Sequence, residues 1–247
     1  MASKKFAEWK IERQALRSSL AQQLPLDYAS FVDAVYRAYG RQNDPSATRW
    51  GDKNPPYAMN LDLLWRLFPD AFVVHIIRDG RAVLNSFRTA NQKAGQAIWP
   101  ESPGAAARFW VRRIDATARH RHHHRYCELF YERLVAAPAA ELRRLCDFLQ
   151  LPYDPAMLEF AQANRREGLV PQHRLAWHDA TLQPVQVSNA EKWRQELDPA
   201  AARRFELFAG HHLLRYGYSL QRNGPGRFEL INKLARLCNQ LLTRIPA

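Results

Sequence analysis

The chain of 247 residues is short of cysteine, of acidic groups and of long apolar runs, and each shortage excludes something. Cys127, Cys146 and Cys238 are odd in number and far apart. They exclude a disulfide framework and fit no metal-ligand spacing, so plain thiols in a reducing compartment are expected. No apolar run approaches the ~20 residues that cross a bilayer. Met1-Ala2-Ser3-Lys4-Lys5-Phe6 leads into a charged amphipathic stretch rather than a signal-peptide core. The expected location on these grounds is cytoplasmic. No internal repeat is visible.

What is present is positive charge and a real core. Lys and Arg number 36 against 24 Asp and Glu, a formal charge of +12, while 47% of residues are hydrophobic, too many for a disordered chain. Such a charge points to an anionic partner: nucleic acid, a membrane surface, or a phosphorylated or sulfated small molecule. A well-solvated arginine-rich surface is the plainer alternative. The length suits one sizeable domain, expected over residues 1–222. Asn223-Gly224-Pro225-Gly226 then breaks the chain before a basic amphipathic helix at 223–247, which packs on the domain, meets a partner or lies on a membrane surface.

Hydrophobic spacing sets the rhythm of the domain. A loosely helical segment at 5–23 precedes a helix opened by Pro25-Leu26-Asp27, with Tyr28, Phe31, Val32, Val35, Tyr36 and Tyr39 on one face. Leu61, Leu64, Trp65 and Phe68 predict a short helix stopped by Pro69. Ala71-Phe72-Val73-Val74-His75-Ile76-Ile77 reads as a strand covered on both faces. Helices follow at 105–119, from Pro138 and after Asp154-Pro155 and Asp198-Pro199, with a second strand from Tyr126 to Tyr131. The alternation predicts an α/β fold with parallel strands flanked by helices in three layers.

Four places could carry chemistry. At the strand end Ile77-Arg78-Asp79-Gly80-Arg81, a helix N-terminus and an arginine fork suit phosphate oxygens, and Ser86 on the following helix adds a hydroxyl. An ordinary Arg–Asp turn pair and a solvent-facing serine would read the same way. In Gly51-Asp52-Lys53-Asn54-Pro55 the lysine could neutralise charge on a leaving oxygen, or simply be solvated. Tyr131, at the end of the second strand, could lie against a base or belong to the core. Lys192, before Trp193, could be a second cation or one half of a surface pair. His122-His123-His124 points three ways from one helix end with no carboxylate at a suitable spacing, so no metal is assigned.

In this order and spacing, the four resemble the sulfotransferase family, which draws its sulfuryl group from 3′-phosphoadenosine 5′-phosphosulfate (PAPS). Trp50-Gly51-Asp52-Lys53-Asn54-Pro55 is similar to that family's W-G-D-K-T-P segment. Phe68-Pro69-Asp70-Ala71 through Arg78-Asp79-Gly80-Arg81-Ala82-Val83, with Ser86, is similar to its 3′-phosphate strand, loop and helix. Tyr131-Glu132-Arg133-Leu134, Pro138 and Phe148-Leu149-Gln150-Leu151 resemble its downstream signature, and Gln183 to Trp193 resembles a loop of the tyrosylprotein-type enzymes. The likeness covers roughly residues 28–220. It implies a P-loop NTPase-like fold, PAPS as co-substrate without a metal, and a small-molecule, glycan or peptide acceptor, with no nucleic acid expected. It also implies Arg78 and Ser86 at the 3′-phosphate, Tyr131 near the adenine, Lys192 as a second cation there, and Lys53 beside the transferred group.

Departures from the family pattern are as informative. The R-S-G-T type loop that cradles the 5′-phosphosulfate, and the strand before it, have no counterpart in residues 1–49, so the fold is expected to be incomplete at its amino end. Pro55 stands where the cytosolic branch has its basic histidine, and Ala90 where tyrosylprotein-type enzymes have an arginine, with Arg88 nearby. His75 is expected in the core, and no general base is assigned. The expected function is sulfuryl transfer to a hydroxyl or amine. The alternatives are a non-catalytic chain keeping only the 3′-phosphoadenosine half-site and, further off, a basic nucleic-acid-binding module. Residues 88–104, with Trp99, and 164–182 are expected on the acceptor side.

Overall fold

The computed structural model describes residues 9–21, 27–167 and 182–221, so the expected helix at 223–247 lies outside the described residues. Compact packing divides the chain between Ala71 and Phe72, within the expected single domain and at a place with no linker-like composition.

The first unit is helical. Helix α1 (Arg13–Ala21) and α2 (Tyr28–Asn43) bury Ile11, Leu16 and Val35 between them. Asp27 opens α2 as expected: its carboxylate accepts from the Ser30 amide at 2.7 Å, and the Ser30 hydroxyl takes the Asp27 amide in return, closing a capping box. The Trp50 ring stacks on Tyr36 at 4.3 Å, and its indole N–H donates to Asp33 at 2.8 Å. A short 3₁₀ turn, Pro55–Met59, leads to α3 (Leu61–Leu67), which ends ahead of Pro69 as the sequence requires.

The second unit is the α/β part. Strands β1 (Val73–Ile77) and β2 (Tyr126–Phe130) pair in parallel, Val73 opposite Tyr126 and Ile77 opposite Phe130, and are the two strands of the sheet among the described residues. A parallel pair needs a long crossover, supplied by α4 (Gly80–Ala94) and α5 (Pro103–Ala118). After β2 come α6 (Tyr131–Ala136), α7 (Pro138–Leu149), a 3₁₀ turn Pro155–Glu159 and α8 (Phe160–Glu167). Short helices α9 (Ser188–Glu191) and α10 (Trp193–Glu196) precede the long α11 (Pro199–Arg215), which ends ahead of Gly217 at φ +83°.

Alternation along β2 produces the expected helix, sheet and helix layers. Phe130 and Glu128 face Tyr216 beyond α11, at 6.3 Å between rings and 3.4 Å to the phenol, while Cys127 on the opposite face accepts from Arg144 of α7 at 3.3 Å. The core lies on the first side, where Ile77, Leu84, Trp110, Ile114, Phe205 and Leu213 close on one another. One expectation needs correcting: among the described residues, β1 is not covered on both faces at its carboxyl end. Ile76 is 55% exposed although its partner Leu129 is only 2% exposed. Among the described residues, helix α7 shelters β2 on this face and reaches β1 only ahead of its start, where Phe148 packs on Phe72 at 5.3 Å.

Candidate active site

Parallel register is what assembles the site. With Ile77 opposite Phe130, the next residues of the two strands, Arg78 and Tyr131, leave the sheet side by side. The Arg78 guanidinium lies over the Tyr131 ring, 4.3 Å from its centre, a cation–π contact. Its Nη2 donates to the Asn189 carbonyl at 2.7 Å. Its Nε is buried without a hydrogen-bond partner. The Arg78 carbonyl accepts from the Trp110 indole at 3.0 Å, which fixes the backbone from the core side.

The turn into α4 is tightly specified. Asp79 caps the helix by accepting from the Arg81 amide at 2.8 Å. Gly80 sits where any Cβ would come within 2.5 Å of Phe205 Cζ and 2.9 Å of Trp110 Cδ2, so the helix start needs glycine for close approach. The Asp79 amide donates to Glu132 at 2.9 Å, and the other Glu132 oxygen accepts from the Tyr218 hydroxyl at 3.0 Å. Burial, then the Glu132 carboxylate, raises the Tyr218 phenol far above its usual range.

The Arg–Asp pair that the sequence allowed for Arg78 is made by Arg81 instead. Arg81 is fully buried, forks both oxygens of Asp79 and also reaches Glu206. Burial on its own would lower the pKa of this guanidinium, and the Asp79 and Glu206 contacts outweigh that and raise it. Reading the sequence did not single out Arg81 or Glu206. A signal existed: an arginine at the second residue of a helix capped by aspartate, otherwise surrounded by Ala82, Val83 and Leu84.

The remaining expected residues are distributed as follows. Ser86 lies exposed on α4, eight residues beyond Arg78. Lys192 is exposed and pairs with Glu196 at 2.9 Å, whose other oxygen accepts from Asn85 at 2.8 Å. Trp193 beside it is buried. Lys53 belongs to the first unit, exposed ahead of the Pro55–Met59 turn. Its neighbour Asp52 accepts from the Tyr57 hydroxyl at 2.6 Å, and burial together with Asp52 raises the Tyr36 phenol to about 12. His75, expected in the core, is half-buried beside it: Nδ1 is 2.8 Å from the Tyr126 hydroxyl, and burial pushes the imidazole down to about 4.

On the expected acceptor side, one amide organises a loop. Asn91 Nδ2 donates to the Trp99 carbonyl at 2.9 Å and to Glu101 at 2.8 Å, while its oxygen accepts from the amides of Ile98 and Trp99, both at 2.9 Å. Trp99 stacks on Phe87 at 5.1 Å and remains 39% exposed. Arg88 donates to the Glu101 carbonyl at 3.1 Å. Of the other expected acceptor segment, residues 168–181 lie outside the described residues.

Residues 2–155 match the family model described as "Sulfotransferase family". Among curated proteins, the chain is 26% identical over 209 residues to protein-tyrosine sulfotransferase A of Caenorhabditis elegans, covering 80% of this chain and 51% of that protein. It is 27% identical over 185 residues to protein-tyrosine sulfotransferase 1 of Danio rerio, covering 70% and 49%. The chain therefore spans about half the length of the curated relatives it matches. The sulfotransferase domain from the curacin biosynthetic pathway superposes with a TM-score of 0.60 at 21% identity, covering 88% of this chain and 78% of that domain. The corresponding domain of the Synechococcus PCC 7002 olefin synthase gives 0.55 at 22% identity, covering 88% and 80%. These two likenesses carry the fold.

The cytoplasmic location expected from the sequence is corrected by the same comparison. The matching relatives are named protein-tyrosine sulfotransferases, and on that likeness the cytoplasmic expectation is withdrawn. Among the described residues no helix is long and apolar enough to cross a membrane, which does not assign a compartment.

Proposed function

We propose, from the premise that this chain belongs to the sulfotransferase family, that it takes the sulfuryl group of PAPS to an acceptor hydroxyl or amine. The observation that carries this is the state of Arg78: stacked on Tyr131 at the carboxyl ends of two parallel strands, with a buried Nε that has no hydrogen-bond partner. Ligands of open α/β sheets bind at such strand ends, and an arginine with unused donor capacity fits a phosphate. Arg78 and Ser86 are assigned to the 3′-phosphate, Tyr131 to the adenine, Lys192 to a second cation there, and Lys53 to the leaving oxygen.

In the reaction, an acceptor lone pair forms a bond to sulfur while the bond from sulfur to the 5′-phosphate oxygen breaks. The acceptor proton leaves to solvent. Products are the sulfated acceptor and 3′-phosphoadenosine 5′-phosphate. No covalent enzyme intermediate is required, so the protein contributes orientation and neutralisation of the bridging oxygen. The names of the curated relatives favour a peptide tyrosine as acceptor.

Calorimetry with 3′-phosphoadenosine 5′-phosphate tests the binding half. Saturable binding is expected, weakened by about tenfold to a hundredfold in Arg78→Ala, the worth of one charge-assisted contact of roughly 1.5–3 kcal/mol. No binding, or equal binding by the variant, overturns the assignment. Transfer of label from [35S]PAPS to tyrosine-containing peptides tests the chemistry, and binding without transfer would leave the half-site reading.

A further inference from the structure

A buried arginine outside the proposed anion-binding set ties three segments together. Arg81 is 0% exposed, an uncommon place for a guanidinium. Nε and Nη2 donate to the two Asp79 oxygens at 3.0 and 2.7 Å, and Nη1 donates to Glu206 at 2.5 Å. Its charged carbon lies 4.1 Å from the centre of the Trp193 ring. Trp193 is itself 1% exposed, and its indole N–H has no hydrogen-bond partner. That ring is held by packing, by the Arg81 guanidinium and by that of its neighbour Arg194, 4.7 Å from the ring centre, not by a hydrogen bond of its own.

The three ties converge on one place. Asp79 follows Arg78 directly. Glu206 belongs to α11. Trp193 comes four residues after Asn189, whose carbonyl takes Arg78 Nη2 at 2.7 Å. We propose that Arg81 is a positioning residue for anion binding at Arg78: its fork fixes Asp79 and Glu206 while its face holds Trp193, and so keeps residues 187–197 against the strand end. This rests on the reading of Arg78 as the 3′-phosphate residue. Lysine could not do the same, because a compact ammonium has neither the planar fork for two carboxylates nor a flat face for an indole.

The test compares Arg81→Lys and Trp193→Leu with the wild-type chain. The second variant removes the aromatic face while leaving the buried charges paired, so it keeps the proposal testable if the first does not fold. Hydrogen exchange followed by mass spectrometry is expected to show residues 187–197 exchanging at least ~10-fold faster in both variants, with α11 protected as in the wild type. Affinity for 3′-phosphoadenosine 5′-phosphate should fall about tenfold in both, and replacing Trp193 by Phe, which restores an aromatic face, should recover most of it. Unchanged exchange in 187–197, or loss of protection across α4 and α11 together, overturns the proposal. Equal affinity despite a loosened segment overturns the positioning role. If the wild type does not bind the nucleotide but the exchange difference persists, the function proposed above falls and the Arg81–Trp193 latch stands.

Discussion

Gly80 and Phe205 are in contact so close that the glycine has no room for a side chain: a Cβ at Gly80 would lie 2.5 Å from Phe205 Cζ. Phe205 is fully buried in α11, so neither partner can move aside cheaply. The start of the helix after Arg78 is thereby seated directly on the core. Gly80→Ala is expected to cost about 1–3 kcal/mol by overpacking, read as a lower urea midpoint with an unchanged slope. Adding Phe205→Leu should recover part of the loss; two losses that simply add would show that the clash is not the cause.

A variant at Lys53 tests the proposed chemistry apart from nucleotide binding. If it neutralises the leaving oxygen, Lys53→Ala should lower kcat by about 10²–10³-fold, the usual scale for one such stabilising group, with nucleotide affinity unchanged. A matching loss of affinity would move Lys53 from the leaving oxygen to ground-state binding.

Tyr131 contributes a ring face to Arg78. Tyr131→Phe keeps that face and is expected to bind nucleotide like the wild type. Tyr131→Leu should weaken binding by about 2- to 30-fold, the range of a cation–π contact of roughly 0.5–2 kcal/mol. Equal binding by the leucine variant would assign the stack a purely packing role.

His75 makes stability depend on acid. Its imidazole titrates near 4 in the folded chain against 6.5 in an ordinary environment, because burial disfavours the charged form. Between those values the unfolded chain binds the extra proton, so stability from this group is present above pH 6.5 and is lost as the pH falls to 4, by on the order of 3 kcal/mol. His75→Gln should flatten the stability profile in that window, measured by urea unfolding at half-unit steps. An unchanged profile would place the acid sensitivity elsewhere.

Asn91 uses its amide on both sides, donating to Trp99 and Glu101 and accepting from Ile98 and Trp99. Asn91→Asp puts a carboxylate against the Trp99 carbonyl and the Glu101 carboxylate. A loss of about 2 kcal/mol or more and a red shift of Trp99 emission are expected, with partial recovery in Asn91→Asp with Glu101→Gln. Emission unchanged from the wild type would show that the loop is held by the Trp99–Phe87 stack instead.

Local order was legible wherever a short-range rule acts. Asp27 and Asp198 cap the helices they were expected to open, Pro69 follows the end of α3, and the β-branched run 73–77 is a strand. The family resemblance rested on such stretches, each carried by contiguous residues. The partition between Ala71 and Phe72 was not legible, because no glycine- or proline-rich linker marks it. The exposure of Ile76 was not legible either: periodicity tells which residues share a face, but not whether a helix covers it.

What the residues determined alone was chemistry and local conformation: an arginine at a strand end, a helix starting just after it, a tyrosine at the end of the next strand. Only the tertiary structure decided which arginine does what. Arg78 and Arg81 are three apart in sequence and chemically identical, yet one stacks on Tyr131 with a donor to spare and the other is consumed by Asp79, Glu206 and Trp193. The physical reason is long-range: Glu206 and Trp193 come from segments more than a hundred residues away, and only the packing of α11 and residues 187–197 onto the strand end brings their charge and ring face to Arg81.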